Sequence, residues 1–207
     1  MKTFIVLGMR TGTSVLTSII HRWGINMGRA FRAGDEHNEV GYFEDAQMLR
    51  AVTSIIGNRF ERCAPITHFD IEQLRQFKEL INDRQQDVWG FKAPGVCFML
   101  RAVDMFVPDP HYILCIRDVR QMARSLADVK THDLPHGFNH INYCQMFLDT
   151  MYEETRGKKR TIIQYEDLIK YPVETLVKLK GFLGVDINNN LFEEGRALIK
   201  PNLKHAY

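Results

Sequence analysis

Neither sign of charge dominates this sequence. Its 207 residues include 27 Lys and Arg residues against 25 Asp and Glu residues, which leaves a formal net charge of +2 at pH 7. This balance excludes the broad positive field with which a protein coats nucleic acid or adheres to an acidic membrane surface. Any anion that the protein binds is therefore held by a local site, and no nucleic-acid partner is predicted.

Long hydrophobic runs are missing as well. No window approaches the roughly 18 consecutive apolar residues of a membrane span. The N-terminal segment, Met1–Gly8, is apolar for too short a stretch to be the hydrophobic region of a secretory signal followed by a cleavage site. We therefore expect a cytoplasmic protein without a membrane span.

Cysteine is scarce, and the cysteines are far apart in the sequence, at Cys63, Cys97, Cys115 and Cys144. They form no C-x-x-C pair, and two of them lie in apolar runs. This pattern is typical of small buried side chains in a reducing compartment, and it favours neither a disulfide nor a metal site.

Short apolar segments alternate with helical stretches along the chain. The predicted strands are Phe4–Leu7, Val88–Phe91, His111–Ile116 and Thr161–Gln164. The predicted helices are Thr13–Trp23, Ala46–Ile56, Ile71–Asn82, Val96–Phe106, Val119–Lys130, Ile141–Thr155 and Val173–Leu183. This alternation predicts a single three-layer α/β domain over residues 1–207, with a central parallel sheet of about four to five strands flanked by helices.

The segment Gly8–Ser14 joins the first strand to the first helix, at the strand end where open α/β sheets bind ligands. Glycine lets the backbone approach an anion closely, and N–H groups at a helix start point outward with the positive end of the helix dipole. Thr13 and Ser14 add hydroxyl donors, and Arg10 adds a charge. The loop therefore predicts an anion site. The alternative is an ordinary turn in which Thr11 or Thr13 caps the helix.

The loop lacks the lysine of a nucleoside triphosphate P-loop. That motif reads G-x-x-x-x-G-K-[ST], whereas here Thr13 precedes Ser14 and the spacing is one residue short. No strand ends in a clear Mg²⁺-binding aspartate, since the third strand is followed by Arg117, and Asp118 is placed to cap the next helix. A site without metal suits transfer of a sulfuryl group, because that group carries less negative charge than a γ-phosphoryl group.

A second candidate phosphate anchor follows the third strand. Arg117 stands at the strand end, and Ser125 lies eight residues later on the next helix. A guanidinium and a hydroxyl at this spacing can clasp one phosphate from two sides. Asp118 and Gln121 have the pattern of a capping box at the start of that helix. Taken alone, the pair is also typical of an ion-pairing arginine and a neutral helix serine, so its interpretation depends on the first loop.

The loop Arg10-Thr11-Gly12-Thr13-Ser14 resembles the 5′-phosphosulfate loop of the sulfotransferases that use 3′-phosphoadenosine 5′-phosphosulfate (PAPS). Arg117 with Ser125 resembles their 3′-phosphate motif. Three segments are similar to bacterial-type members of the family, namely Gly41-Tyr42-Phe43-Glu44-Asp45, Trp89-Gly90-Phe91-Lys92-Ala93-Pro94 and Gln164-Tyr165-Glu166-Asp167-Leu168. The similarity runs from Met1 to about Leu203. The resemblance implies a P-loop nucleotide-hydrolase-like fold, PAPS as co-substrate without a metal, and direct in-line transfer to a hydroxyl or amine.

In-line sulfuryl transfer requires a base for the acceptor's proton and cations near the bridging oxygen, where charge builds up. Arg10 and Lys92 are the candidate cations, and Lys92 matches a family lysine after the tryptophan-glycine pair. Glu44 is the candidate base, because its segment begins a helix beside the expected acceptor site. Asp45 and His37 are alternatives for this role. The helix dipole also favours carboxylates in a first helical turn, so Glu44 has a purely structural interpretation too.

The sequence departs from the family on both sides of Pro94, where Ala93 and Gly95 replace the usual aspartate and arginine. If that aspartate helps to bind or deprotonate the acceptor, this protein has a different acceptor or reduced activity. Two other functions stay open, and this departure favours the second of them. A P-loop small-molecule kinase would bind ATP with Mg²⁺, and a non-catalytic nucleotide-binding module would bind PAPS without turnover.

Three histidines are spaced by four residues, at His132, His136 and His140. Pro135 and Gly137 interrupt any helix there, and no cysteine or carboxylate cluster completes a metal site. We interpret the segment as a loop over the acceptor site or as plain surface. The expected acceptor is a small molecule or a glycan.

Overall fold

The four predicted strands form one parallel sheet. They are β1 (Lys2–Leu7), β2 (Val88–Lys92), β3 (Pro110–Ile116) and β4 (Arg160–Gln164). The computed structural model of the protein describes residues 1–31, 33–34, 41–57, 64–128, 134 and 138–200. In this part of the chain the strand order is β2-β1-β3-β4, and each neighbouring pair is parallel.

Helices cover both faces of this sheet. They are α1 (Thr13–Arg22), α2 (Ala46–Ile56), α3 (Ile71–Arg84), α4 (Leu100–Phe106), α5 (Val119–Ala127), α6 (His140–Glu154), α7 (Tyr165–Lys170), α8 (Pro172–Leu183) and α9 (Asn189–Ala197). The predicted three-layer α/β architecture is confirmed. Among the described residues, no helix combines the length and the apolar character needed to cross a bilayer.

Successive strand residues alternate between two apolar cores. Ile5 and Leu7 of β1 lie in one core with side chains of α2, α3, α5 and α6. Phe4 and Val6 lie in the other core with side chains of α1, α7 and α8. Because both faces of a parallel sheet are buried, its strands are continuous apolar runs, which explains why the sequence predicts them.

The region after β2 differs from the predicted helix over Val96–Phe106. A 3₁₀ helix, Pro94–Met99, begins two residues earlier and runs directly into α4. Proline suits the first position of a helix, because it lacks the N–H group that would have no acceptor there. The apolar pattern alone predicts the later start at Val96, whereas Pro94 marks the observed one.

Two of the observed helices, α7 and α9, are not among the predicted ones. The first has only six residues, which is too short for a helical period to be recognised. The second begins after Asn188, whose side chain accepts a hydrogen bond from the backbone N–H of Leu191 at 3.0 Å. It packs on the second core, where the rings of Trp23 and Phe192 stack with centroids 5.8 Å apart.

The start of α5 differs from the predicted capping box. Asp118 is the N-cap, and its side chain accepts from the backbone N–H groups of Arg120 and Gln121. The Gln121 side chain, however, does not return to the N–H of Asp118. That N–H donates to Oε1 of Glu166 at 3.0 Å, because Gln121 is engaged with Arg117.

The strand order brings the ends of β1 and β3 side by side. The chain leaves β1 toward β2 on one side and later returns to β3 on the other, and Leu7 of β1 pairs with Leu114 of β3. Ligands of open α/β sheets bind at such a switch point, outside the carboxyl ends of the strands. The loop after β1 and the segment after β3 therefore meet at one edge of the sheet.

Candidate active site at the carboxyl edge of the sheet

The loop between β1 and α1 contains three residues with positive φ, which are Gly8 (144°), Arg10 (58°) and Gly12 (82°). Left-handed residues within such a turn direct successive backbone N–H groups toward a common side, where they bind anions. Gly12 is the N-cap of α1, and its missing side chain leaves the first N–H groups of that helix uncovered. The alternative of an ordinary turn predicted that Thr11 or Thr13 caps the helix. The observed N-cap is Gly12, without a side-chain hydrogen bond.

Both glycines allow close packing that a side chain would prevent. A Cβ atom on Gly12 would lie 2.2 Å from Cδ2 of Tyr165. A Cβ atom on Gly8 would lie 2.6 Å from the carbonyl oxygen of Cys115. The loop can therefore rest on β3 and on the start of α7 only because these two positions are glycine.

Gly12→Ala is expected to lower the free energy of unfolding by about 1–2 kcal/mol, because alanine is strained in a left-handed conformation and its methyl group must displace the Tyr165 ring. Urea denaturation of the two proteins measures this difference. Gly24→Ala is the matched control, since Gly24 has a φ of 92° but no atom within 4 Å of its would-be Cβ. Equal losses for the two variants would contradict a constraint by Tyr165.

The hydroxyl groups of the loop have different surroundings. The Thr11 side chain is fully buried, and its Oγ1 lies beneath Gly8. Thr13 is buried at the first position of α1. The Ser14 hydroxyl donates to the carbonyl oxygen of Tyr42 at 3.3 Å. The Thr11 hydroxyl is thus enclosed by the loop, whereas Ser14 directs its hydroxyl toward the segment before α2.

A thiol lies directly under the loop. The Cys115 Sγ donates to the carbonyl oxygen of Thr11 at 2.8 Å, and burial raises the pKa of this thiol to about 12. It is therefore uncharged at physiological pH. Cys97 and Cys144 are also buried, as the apolar runs around Cys97 and Cys115 led us to expect for these cysteines, and Cys63 lies outside the described residues.

The guanidinium of Arg117 is buried and held on two sides. Its Nε and Nη2 donate to Oε1 of Gln121 at 3.0 and 2.9 Å. Its central carbon lies 4.8 Å from the centroid of the Tyr165 ring, a favourable distance for a cation–π contact. The side chain is thereby fixed at the end of β3.

Arg10 joins the first loop to the second anchor. Its Nε donates to Oγ of Ser125 at 3.0 Å, although the two residues are 115 positions apart in the sequence. Ser125 is buried on α5, on the helix that follows Arg117. The two predicted phosphate anchors are therefore contiguous in the fold.

Lys92, at the end of β2, lies in a buried polar cluster beside the loop. Its Nζ is 2.9 Å from Oε1 of Glu44, 2.7 Å from the carbonyl oxygen of Tyr42 and 3.2 Å from Oγ of Ser14. Lys92 is 3% exposed and Glu44 is 4% exposed. Burial lowers the pKa of the Lys92 ammonium, although the Glu44 carboxylate acts in the opposite direction. The predicted cation and the predicted base thus form one ion pair.

A sulfotransferase family model matches residues 3–189. The chain belongs to the sulfotransferase family. No curated protein matches the sequence of this family member.

Solved structures of sulfotransferases share its fold. The sulfotransferase domain of the Synechococcus PCC 7002 olefin synthase is 18% identical with a TM-score of 0.57, over 92% of this chain and 75% of that chain. Sulfotransferase STF9 from Mycobacterium avium is 14% identical with a TM-score of 0.58, over 95% and 67%. Mouse sulfotransferase SULT7A1, complexed with PAP, is 18% identical with a TM-score of 0.54, over 96% and 63%.

Of the two alternative bases in this sulfotransferase-family chain, Asp45 and His37, the structure describes only Asp45. Asp45 is the N-cap of α2, and its carboxylate accepts from the backbone N–H groups of Gln47, Met48 and Arg29. All of these bonds belong to the start of the helix and its neighbouring segment, so Asp45 has a structural role. His37 lies outside the described residues.

Tyr165 and Glu166 also lie at the candidate site, although the sequence predicted no role for either of them. Tyr165 touches both anchors, since its ring packs against Gly12 on one side and under Arg117 on the other. Glu166 accepts the N–H of Asp118, and its Oε2 is buried without a hydrogen-bond partner among the described residues. Their position directly after β4 was the available signal, because all four strands end at the same edge.

The two positions that depart from the family pattern are buried. Ala93 belongs to the apolar core of the α2 face, and Gly95 is the second residue of the 3₁₀ helix. This chain therefore has no carboxylate beside Pro94. Within the described ranges no cluster of three metal-ligating side chains is found. Of the spaced histidines, His140 begins α6, and His132 and His136 lie outside the described residues.

Proposed function

We propose that this protein transfers a sulfuryl group from PAPS to a hydroxyl or amine of a small-molecule or glycan acceptor. The observation that carries the proposal is the contact between Arg10 and Ser125 at 3.0 Å, which joins the loop after β1 to the anchor after β3. PAPS carries phosphate groups on both its 5′ and its 3′ side, so it requires two contiguous anion sites. Mouse SULT7A1, to which this chain is similar, was solved with PAP, which is 3′-phosphoadenosine 5′-phosphate, the product that PAPS leaves when it loses its sulfuryl group. This similarity supports the choice of donor.

Each end of the donor has its own set of groups in this proposal. The 5′-phosphosulfate lies on the backbone N–H groups of Arg10, Thr11, Gly12, Thr13 and Ser14. The 3′-phosphate lies between the guanidinium of Arg117 and the hydroxyl of Ser125. Arg117 is suited to this role because Gln121 and Tyr165 already fix its plane, so little side-chain entropy is lost on binding.

The transfer step is a direct displacement at sulfur. The acceptor oxygen or nitrogen bonds to sulfur, the bond from sulfur to the bridging phosphate oxygen breaks, and 3′-phosphoadenosine 5′-phosphate (PAP) leaves. Glu44 takes the proton of the acceptor, and Lys92 and Arg10 stabilise the charge on the departing oxygen. Because Ala93 and Gly95 supply no carboxylate, we assign the role of base to Glu44.

Calorimetric binding of PAP, with ADP and Mg²⁺-ATP as comparators, tests the donor assignment. We expect metal-independent binding of PAP that is about 10- to 100-fold tighter than binding of ADP, because ADP lacks the 3′-phosphate that forms charge-assisted bonds. Preference for Mg²⁺-ATP would overturn the proposal in favour of a small-molecule kinase.

Turnover is then measured as PAP release from PAPS with 4-nitrophenol and glucosamine as a hydroxyl and an amine acceptor, and with water as background. Acceptor-dependent release supports the enzyme. Tight PAP binding without release on a broader acceptor panel would instead indicate a non-catalytic nucleotide-binding module, for which the altered residues beside Pro94 are the supporting feature.

A further inference from the structure

The segment that carries Glu44 has an unusual backbone. Gly41 has a φ of 94°, and Phe43, which is not a glycine, has a φ of 52°. This turn allows the carbonyl oxygen of Tyr42 and the carboxylate of Glu44 to reach the same atom, Nζ of Lys92, at 2.7 and 2.9 Å. A bulky residue keeps a left-handed conformation only where its surroundings hold it there. The contacts at the far end of the segment are therefore among those that hold Glu44 in its position.

Asp45 fixes that far end. Its Oδ1 accepts from the N–H groups of Gln47 and Met48 at 3.0 and 3.1 Å, and its Oδ2 accepts from the N–H of Arg29 at 2.8 Å. The residue is 2% exposed. These bonds tie the residue next to Glu44 both to α2 and to the segment that follows α1.

A cation from another helix completes this arrangement. Arg84, the last residue of α3, is 7% exposed, and its Nη2 lies 3.4 Å from each carboxylate oxygen of Asp45. The same nitrogen donates to the side-chain oxygen of Gln47. Within the described part of the chain, Arg84 is the only side-chain cation bonded to Asp45. It therefore spans the N-cap and the first turn of α2.

We propose that Arg84 is a positioning residue of the sulfotransfer site, which acts through Asp45 to hold Glu44 against Lys92. This inference rests on the function proposed above. A buried ion pair is often no more stabilising than apolar residues of the same volume, whereas it does impose one geometry on its partners. The geometry imposed here is that of the strained turn that carries the proposed base.

The test compares Arg84→Met with Arg75→Met, the same substitution on the same helix. Arg75 is exposed, and its ion pairs are with Glu72 and Glu79 of the same helix, neither of which belongs to the candidate site. We expect Arg84→Met to lower the rate of PAP release from PAPS by about 10- to 100-fold, because a small displacement of a catalytic group has effects of this size. The affinity for PAP should stay within about twofold, since the donor anchors do not contact Arg84. Arg75→Met should change neither quantity.

A double-variant cycle separates positioning from general stability. If Arg84 acts through Glu44, then Arg84→Met combined with Glu44→Gln is no slower than Glu44→Gln alone, and Arg84→Lys recovers part of the lost rate. Additive losses, or an equal fall in PAP affinity and rate, would overturn the positioning role. If Arg84→Met fails to fold, the cycle uses Arg84→Met with Asp45→Asn, which leaves no unpaired buried charge and keeps a capping oxygen.

The wild-type protein separates this failure from a failure of the proposed function. Absent PAP binding in the wild type overturns both proposals. Normal PAP binding and turnover in the wild type, together with additive losses in the cycle, overturns only the role of Arg84.

Discussion

Glu44→Gln is expected to reduce sulfuryl transfer by about 100- to 10,000-fold, the usual contribution of a positioned general base. Glutamine has the same shape and keeps an oxygen for Nζ of Lys92, but it cannot accept the proton of the acceptor. The affinity for PAP should change by less than about threefold, because Glu44 belongs to neither of the proposed anion anchors. Initial rates at saturating PAPS and calorimetric titration with PAP measure the two quantities.

The matched control for this variant is Glu174→Gln, an exposed glutamate in the first turn of α8. It should leave both rate and affinity unchanged. A wild-type rate for Glu44→Gln would remove Glu44 from the role of base, and His37 would then be the next residue to replace. A parallel fall in rate and PAP affinity would mean that Glu44 serves mainly to hold Lys92 beside the loop.

Arg117→Ala is expected to weaken PAP binding by about 1.5–3 kcal/mol, or roughly 10- to 150-fold, because a buried charge-assisted bond to the 3′-phosphate is lost. ADP, which has no 3′-phosphate, should bind the variant almost as well as it binds the wild type. Titration calorimetry with both ligands on both proteins yields the four affinities that this comparison needs.

Arg120→Ala serves as the control, since Arg120 is an exposed arginine three residues further on, in the first turn of α5. This control tests whether any positive charge near the start of the helix increases the affinity for PAP. Equal losses for PAP and ADP in Arg117→Ala would exclude a specific 3′-phosphate contact. They would indicate instead that the Tyr165 ring, which packs against both Arg117 and Gly12, moves when Arg117 is removed and disturbs the loop.

Most of the sheet could be predicted from local sequence. Phe4–Leu7 and Val88–Phe91 were predicted as strands, and the observed strands extend each of them by at most two residues. This accuracy has a physical reason, because a strand that is buried on both faces is a nearly continuous apolar run. Helices that depend on a cap or on few residues, such as α7 and α9, carry a weaker periodic signal.

The site was predictable only in part. The ends of β1 and β3 could be expected to meet, because parallel strands end at one edge, and the Arg10–Ser125 contact agrees with this. The ion pair of Lys92 with Glu44 and the contacts of Arg84 could not be expected in the same way. Their partners lie on separate elements, and the packing of α2 against α3 and β2 decides which side chains meet. The roles assigned to Arg10, Lys92 and Glu44 stay predictions.

The position of β3 next to β1 has a consequence for the order in which the site is assembled during synthesis. The first loop leaves the ribosome more than 100 residues before Ser125, the partner of Arg10. Such a long separation makes the closing contact entropically costly and late. A nascent chain that ends before β3 therefore lacks both Arg117 and Ser125, and Arg10 can reach its partner only after β3 and α5 have been synthesised and have packed beside β1.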